Sequence, residues 1–359
     1  MISITYGQYL FDFILFNLIL LCSFISRNNK YTIKIYWILA LFFCLYAYWG
    51  GDYLGYLIEF TTEMDKSYRD PLYYYIKLIC FDKYILFRFW VWGVALFLLY
   101  KISKRFELSC NSFFFLFACC FLLLFSYSRA SLAMCSYFLG FSFCVKPIKN
   151  KLTSWIYALI FIIFSYYCHR SFLPLIIMTP IFYIFIMTKR RILLLFCLTP
   201  LFTFFIKMLL SGFLNESIYL GEGLEGFSSA ANMMAKIDEI EMNKNARFMK
   251  TLEQSGFFVS YIFCMWVLFW KKGNNSVPKY IKQIMNATTF IILIALSLFI
   301  INAGGTYIVA YRYLFMSGIP LIISLSYIYE NKLVKRRYLY LVVLISLFSA
   351  EITLFSTIY

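Results

Sequence analysis

The chain has 359 residues, of which 63% are hydrophobic and 22% aromatic, and its mean hydropathy is +0.77. Soluble domains are about half apolar, so this composition excludes a soluble globular fold and points to a polytopic membrane protein. The formal charge of +16 would suggest nucleic acid in a soluble chain. Here the cations sit in short clusters between apolar runs, as membrane orientation requires, and no nucleic-acid partner is expected.

A membrane-crossing helix needs roughly 20 mainly apolar residues. In chain order, the runs at 8–26, 33–49, 84–100, 111–128, 130–145, 152–168, 171–188, 192–211, 256–270, 284–301, 312–329 and 338–357 give about twelve candidate spans and an all-α fold. The first run lacks a basic leader and a small-x-small cleavage site, so it is expected to be a retained helix. Alternate connections carry Arg27/Lys30/Lys34, Lys101/Lys104/Arg105, Lys146/Lys149/Lys151, Lys189/Arg190/Arg191, Lys271/Lys272/Lys279/Lys282 and Lys332/Lys335/Arg336/Arg337, together 20 of the 33 basic residues. The positive-inside rule makes these six connections cytoplasmic. Both termini and most acidic residues then fall on the outer side.

Two outer segments are long within what reads as a single transmembrane domain, 1–359. The first, 50–83, carries Gly50-Gly51-Asp52-Tyr53 and then Arg69-Asp70-Pro71-Leu72-Tyr73-Tyr74-Tyr75. Pro71 suits the first turn of a helix with Asp70 as its cap, and the aromatic run after it suits an interfacial or re-entrant segment. The second, 212–255, begins with Gly221, Gly223 and Gly226 and becomes helix-prone from Ala230 to about Leu252. Connections of more than about 15 residues are usually functional or disordered, which makes this one a candidate substrate-contacting element. Eleven cysteines lie mostly inside apolar runs and form no CxxC pair, so they read as small buried apolar residues. His169 is the only histidine, too few for a His-rich metal site, and neither metal nor cofactor is expected.

The stretch from Tyr127 to Ser171 concentrates the chemistry. Two apolar runs flank the basic turn Lys146-Pro147-Ile148-Lys149-Asn150-Lys151, so Arg129 and His169-Arg170 are expected at one outer surface. Arg129 reads either as a cation that snorkels to the interface or as a ligand held at a cavity. His169 reads as a structural hydrogen-bonding group or as a base with an unperturbed pKa of about 6.5. Arg312, in Tyr311-Arg312-Tyr313, is either an interfacial anchor or a third outward guanidinium. Guanidinium forks match phosphate oxygens, and several at one depth would form a pyrophosphate clamp. Asp52 and Asp70 either cap helices or serve as base and sugar-hydroxyl ligand.

Gly51-Asp52-Tyr53, Asp70-Pro71-Leu72-Tyr73-Tyr74, Arg129-x-x-x-Ala133, His169-x-Ser171 and Tyr311-Arg312-Tyr313, in that order, resemble Wzy/EpsG-type bacterial polysaccharide (O-antigen) polymerases. One place departs from the pattern, where Arg129 is followed by Ala130-Ser131 instead of a glutamine-like residue. The resemblance implies a GT-C-like membrane glycosyltransferase of the bacterial inner membrane, with its active site facing the periplasm. It would join undecaprenyl-pyrophosphate-linked oligosaccharide units without a metal, beside a flippase and a Wzz-type chain-length regulator. On that reading His169 and Asp52 are catalytic, while Arg129, Arg170, Arg312, Arg69 and Asp70 bind pyrophosphate or sugar. The residues leave open an O-antigen ligase, a GT-C enzyme using a lipid monophosphate, and a flippase or transporter, although no internal repeat of the transporter kind is visible.

Overall fold

The computed structural model describes residues 6–26, 30–47, 57–63, 71–122, 128–185, 188–201, 203–204, 244–271, 277–301, 310 and 313–356. Among these residues there is no strand. The helices are α1 (Tyr6–Ser26), α2 (Lys30–Tyr46), α3 (Pro71–Ile79), α4 (Tyr84–Arg105), α5 (Cys110–Phe121), α6 (Ser128–Val145) and α7 (Lys151–Cys168). After them come α8 (Leu173–Ile184), α9 (Lys189–Cys197), α10 (Lys244–Met265), α11 (Lys279–Ile301), α12 (Gly318–Glu330) and α13 (Arg336–Ser356). Among the described residues, four stretches are long and apolar enough to cross a bilayer, namely Tyr84–Arg105, Lys151–Cys168, Lys279–Ile300 and Tyr313–Glu330. At about 1.5 Å per residue, the 22 residues of α4 rise about 33 Å, close to the thickness of a hydrocarbon core. The chain is therefore an all-α protein with membrane-crossing helices.

Water does not drive helices together inside a bilayer, so close packing and interhelical hydrogen bonds must. Small residues supply both here. On α6, Ser136 donates its hydroxyl to the Phe161 carbonyl of α7 at 2.7 Å. One turn on, a Cβ added to Gly140 would lie 2.9 Å from the Ala158 carbonyl oxygen and 2.9 Å from Ile162 Cγ1. The pair α10 and α13 repeats the device: a Cβ on Gly256 would come within 3.1 Å of Ser346 Cα, and Ser260 and Ser346 hydroxyls lie 3.4 Å apart. α5 and α6 form the centre of the bundle, with every residue from Ser112 to Leu122 and from Ser131 to Ser142 buried. α7 lies outside them and turns Leu152, Leu159 and Ile163 outward, an apolar face that suits lipid.

Cross-chain contacts gather the basic connections at one end of the bundle. Arg105 donates to the Ser142 and Lys146 carbonyls at the end of α6 and stacks 4.4 Å from Phe143. Lys146 Nζ lies 2.8 Å from Glu107, and this hydrogen-bonded ammonium holds the Glu107 carboxyl below its usual range. Lys271 donates to the Leu333 carbonyl, and Gln283 and Asn286 of α11 donate to the last carbonyls of α8 at Tyr183 and Phe185. Glu330, at the end of α12, accepts the Ser109 N–H at 2.7 Å and the Ser112 hydroxyl, capping the start of α5. An anion at a helix N-terminus satisfies orphan donors and complements the helix dipole.

Most helix bounds fall within a few residues of those expected from the sequence. Three differences have local causes. α4 runs on past the expected residue 100 to Arg105 and ends in a Schellman stop without glycine, where Glu107 (φ 58°) takes the left-handed position, and α12 stops in the same way at Lys332 (φ 50°), within a residue of its expected end. The run expected from residue 171 starts with a 3₁₀ turn, Arg170–Phe172, and reaches α helix only at Leu173. The outer helix and the span expected near 256 are one continuous helix, α10, because no proline interrupts Lys244–Met265 and Gly256 is used for close packing. The remainder of 212–243 lies outside the described residues.

Candidate active site

The end of the bundle opposite the basic connections is where α6 begins, α7 ends and α8 begins. The register of α6 against α7 sets their relative height. Gly140 faces Ala158; eleven residues back from Gly140 is Arg129, and eleven forward from Ala158 is His169. The two antiparallel helices, 18 residues each, therefore bring the backbones of Arg129 and His169 level.

His169 caps α7. Its backbone is extended, its N–H donates to Ser165 O at 3.0 Å, and its carbonyl accepts the Phe172 N–H at 3.1 Å. Buried Cys168 and Phe172 pin the turn on either side, so the half-buried imidazole, with Nδ1 inside, and the half-exposed Arg170 are presented from a fixed backbone. Pro174 in the first turn of α8 fits because its missing N–H would be an orphan there. Tyr137 of α6 ties α8 to the hairpin, its hydroxyl meeting Thr179 Oγ1 at 2.9 Å and the Leu175 carbonyl at 3.1 Å.

The described parts of the first long connection, 57–63 and 71–83, pack at this end. α3 starts at Pro71, as expected, and packs against both α4 and α7. Tyr73 is buried against Phe87 with ring centroids 5.8 Å apart, and Phe60 lies 5.3 Å from Tyr84 and 5.1 Å from Phe87. Lys77 sits 5.2 Å over Phe60 and 3.8 Å from Asp82. The aromatic run is thus a short helix seated on the first turns of α4.

One residue absent from the sequence-level candidates belongs to this layer. Arg88, one turn into α4, is 5% exposed, donates to the Ala47 carbonyl at the end of α2 at 3.1 Å, and lies between Trp92 at 4.5 Å and Tyr84 at 5.9 Å. Its height follows from the opposite end of α4, where Arg105 meets Lys146. Seventeen residues back along each chain lie Arg88 and Arg129, and α4 runs alongside α6. A buried intramembrane arginine is costly and marks a functional position by default. The spacing Tyr84-x-x-x-Arg88-x-x-x-Trp92, one ring a turn on each side of a guanidinium, was the signal available in the sequence.

The site thus has Arg88, the Arg129 backbone and His169-Arg170 in one layer, and Ala47 leads five residues later to Asp52. Asp52, Arg69, Asp70 and Arg312 lie outside the described residues. Tyr313, next in sequence to Arg312, is buried at the end of its helix remote from Glu330. Compared with protein-family models, with curated proteins and with solved structures, the chain matches none.

Proposed function

We propose that this chain is a membrane glycosyltransferase that polymerises undecaprenyl-pyrophosphate-linked oligosaccharide units at the outer face of a bacterial inner membrane, through about twelve spans of GT-C-like character. The observation that carries the reading is the common height of Arg129 and His169-Arg170, with buried Arg88 beside them. Glycosyl transfer from a lipid pyrophosphate needs cations fixed at the depth of the headgroup and a proton acceptor next to them.

In this mechanism a hydroxyl of the incoming unit attacks the anomeric carbon of the growing chain. The new C–O bond forms as the bond to the pyrophosphate oxygen breaks with both electrons, so the anomeric configuration inverts. Negative charge gathers on the leaving group, and guanidinium groups placed in advance stabilise it more in the transition state than in the ground state. Arg129, Arg170 and Arg312 carry that role, with Arg69 and Asp70 on the sugars. The hydroxyl proton passes to the His169 imidazole or to the Asp52 carboxylate.

The test is reconstitution with a lipid-linked repeat unit, comparing Arg129→Ala, His169→Ala and Arg312→Ala at matched protein levels. Each is expected to lose polymer by about a hundredfold or more, the scale of a lost acid–base or oxyanion contact. Full-length polymer from all three variants would sink the assignment.

A further inference from the structure

Two adjoining cavities open at the other end of the bundle, where α12 stops and α13 starts. One, of about 340 Å³, is lined by Tyr329, Lys332, Lys335 and Arg336 over a floor of Ile328 and Leu339. The other, of about 430 Å³, shares Tyr329 and Arg336 and continues past Tyr340 to Phe24 of α1 and the start of α5. Three cations thus border the smaller cavity, whose floor is apolar, while the larger one keeps only Arg336 of them and is lined by Ser109, Asn111, Ser112 and Glu330 beside Phe24. The carboxylate at its edge, Glu330, is engaged by Ser109 and Ser112 at the start of α5. Lys271, bonded to the Leu333 carbonyl, adds positive charge behind the connection.

Charge on this face is expected from topology alone, so the arrangement must say more than the count. Two neighbouring arginines separate the cases. Arg336 lines both cavities and lies 5.9 Å from the Tyr329 ring. Arg337 lines neither, lying 4.9 Å from the Tyr338 ring and donating to its hydroxyl at 3.1 Å. Lys332, moreover, occupies the left-handed position that glycine fills most easily, and its side chain is one of those that line the smaller cavity.

We propose that this pocket binds the headgroup phosphate of an anionic phospholipid, held by Lys332, Lys335 and Arg336, with an acyl chain following the cleft toward Phe24. A phosphodiester anion matches the cations, and its acyl chain covers the apolar floor and Phe24, which is 59% exposed and which a small soluble anion would leave bare. Basic pockets between helices at the cytoplasmic interface recognise such headgroups through this combination.

The test uses the full chain in a neutral detergent, titrated with phosphatidylglycerol or phosphatidylcholine of identical acyl chains, with bound lipid counted by native mass spectrometry. The anionic lipid is expected to bind saturably and about tenfold tighter than the zwitterionic one. Arg336→Ala and Lys332→Gly should each weaken it by about fivefold to tenfold, and Arg337→Ala by less than about twofold. Lys332→Gly keeps the left-handed turn, so a melting temperature at or above that of the parent assigns its loss of lipid to the side chain. Equal losses from Arg336→Ala and Arg337→Ala would overturn the pocket in favour of diffuse surface charge. Displacement of the lipid by millimolar inorganic phosphate would overturn the lipid assignment, as would equal binding of the two lipids.

Discussion

Gly140→Ala is expected to destabilise the protein, and Gly93→Ala is not. Both glycines sit inside apolar helices, so alanine gains about 0.5–1 kcal/mol of helix propensity at each. At Gly93 the added methyl meets nothing within 4 Å, and the gain stands. At Gly140 it would meet a backbone oxygen, Ala158 O, and Ile162 Cγ1, each at 2.9 Å. The isoleucine can rotate, but the carbonyl moves only if α7 moves. Overpacking of this kind costs about 1–3 kcal/mol, and against a backbone oxygen the upper half of that range applies, which leaves a net loss of about 1–2.5 kcal/mol. Thermal unfolding in a fixed detergent should then place Gly140→Ala about 1–3 °C below the parent and Gly93→Ala at or above it. Because the same register sets the height of Arg129 against His169, the proposed function requires polymer output of Gly140→Ala to fall further than the stability loss accounts for. A higher melting temperature for Gly140→Ala would refute the close approach, and unchanged output from a destabilised variant would refute the link to the site.

Arg88→Met keeps side-chain bulk while removing the buried cation; stability should stay within about 1 kcal/mol while polymer output falls at least about tenfold, and wild-type output would remove Arg88 from the site. Asn286→Ala strips donors from the Phe182 carbonyl, 3.3 Å away, and the Phe185 carbonyl, and should cost about 1–3 kcal/mol in thermal unfolding. Cys110, half-buried at the first residue of α5, should react with a charged maleimide in inside-out vesicles and not in intact cells; the reverse would invert the orientation.

The sequence made the helices legible because nearly every apolar run is bounded by cations or turn residues. It hid the end of α4, where no glycine marks it, since the stop is made by backbone bonds such as Leu108 N–H to Ser103 O. The hairpin of α6 and α7 was readable as two matched runs around a basic turn. Its register was not, since Ser136, Gly140 and Ala158 gain their meaning only when paired. Arg88 escaped notice because a single cation lowers the hydropathy of an apolar run only slightly, while burial and the bond to Ala47 are tertiary. The cavity at the basic end escaped for a related reason: adjacent arginines with identical charge differ only in the direction each takes from α13.

The cap on α5 has a consequence for how the molecule is made. Ser109 and Ser112 precede Glu330 by 221 and 218 residues. At synthesis rates of about 5–20 residues per second, α5 emerges roughly 10–45 s before its anion exists. During that interval water must solvate its first N–H groups. When α12 arrives, its last residue takes over those donors and joins the early part of the chain to the late one. A chain that ended before residue 330 would lack this anion and leave the start of α5 to water.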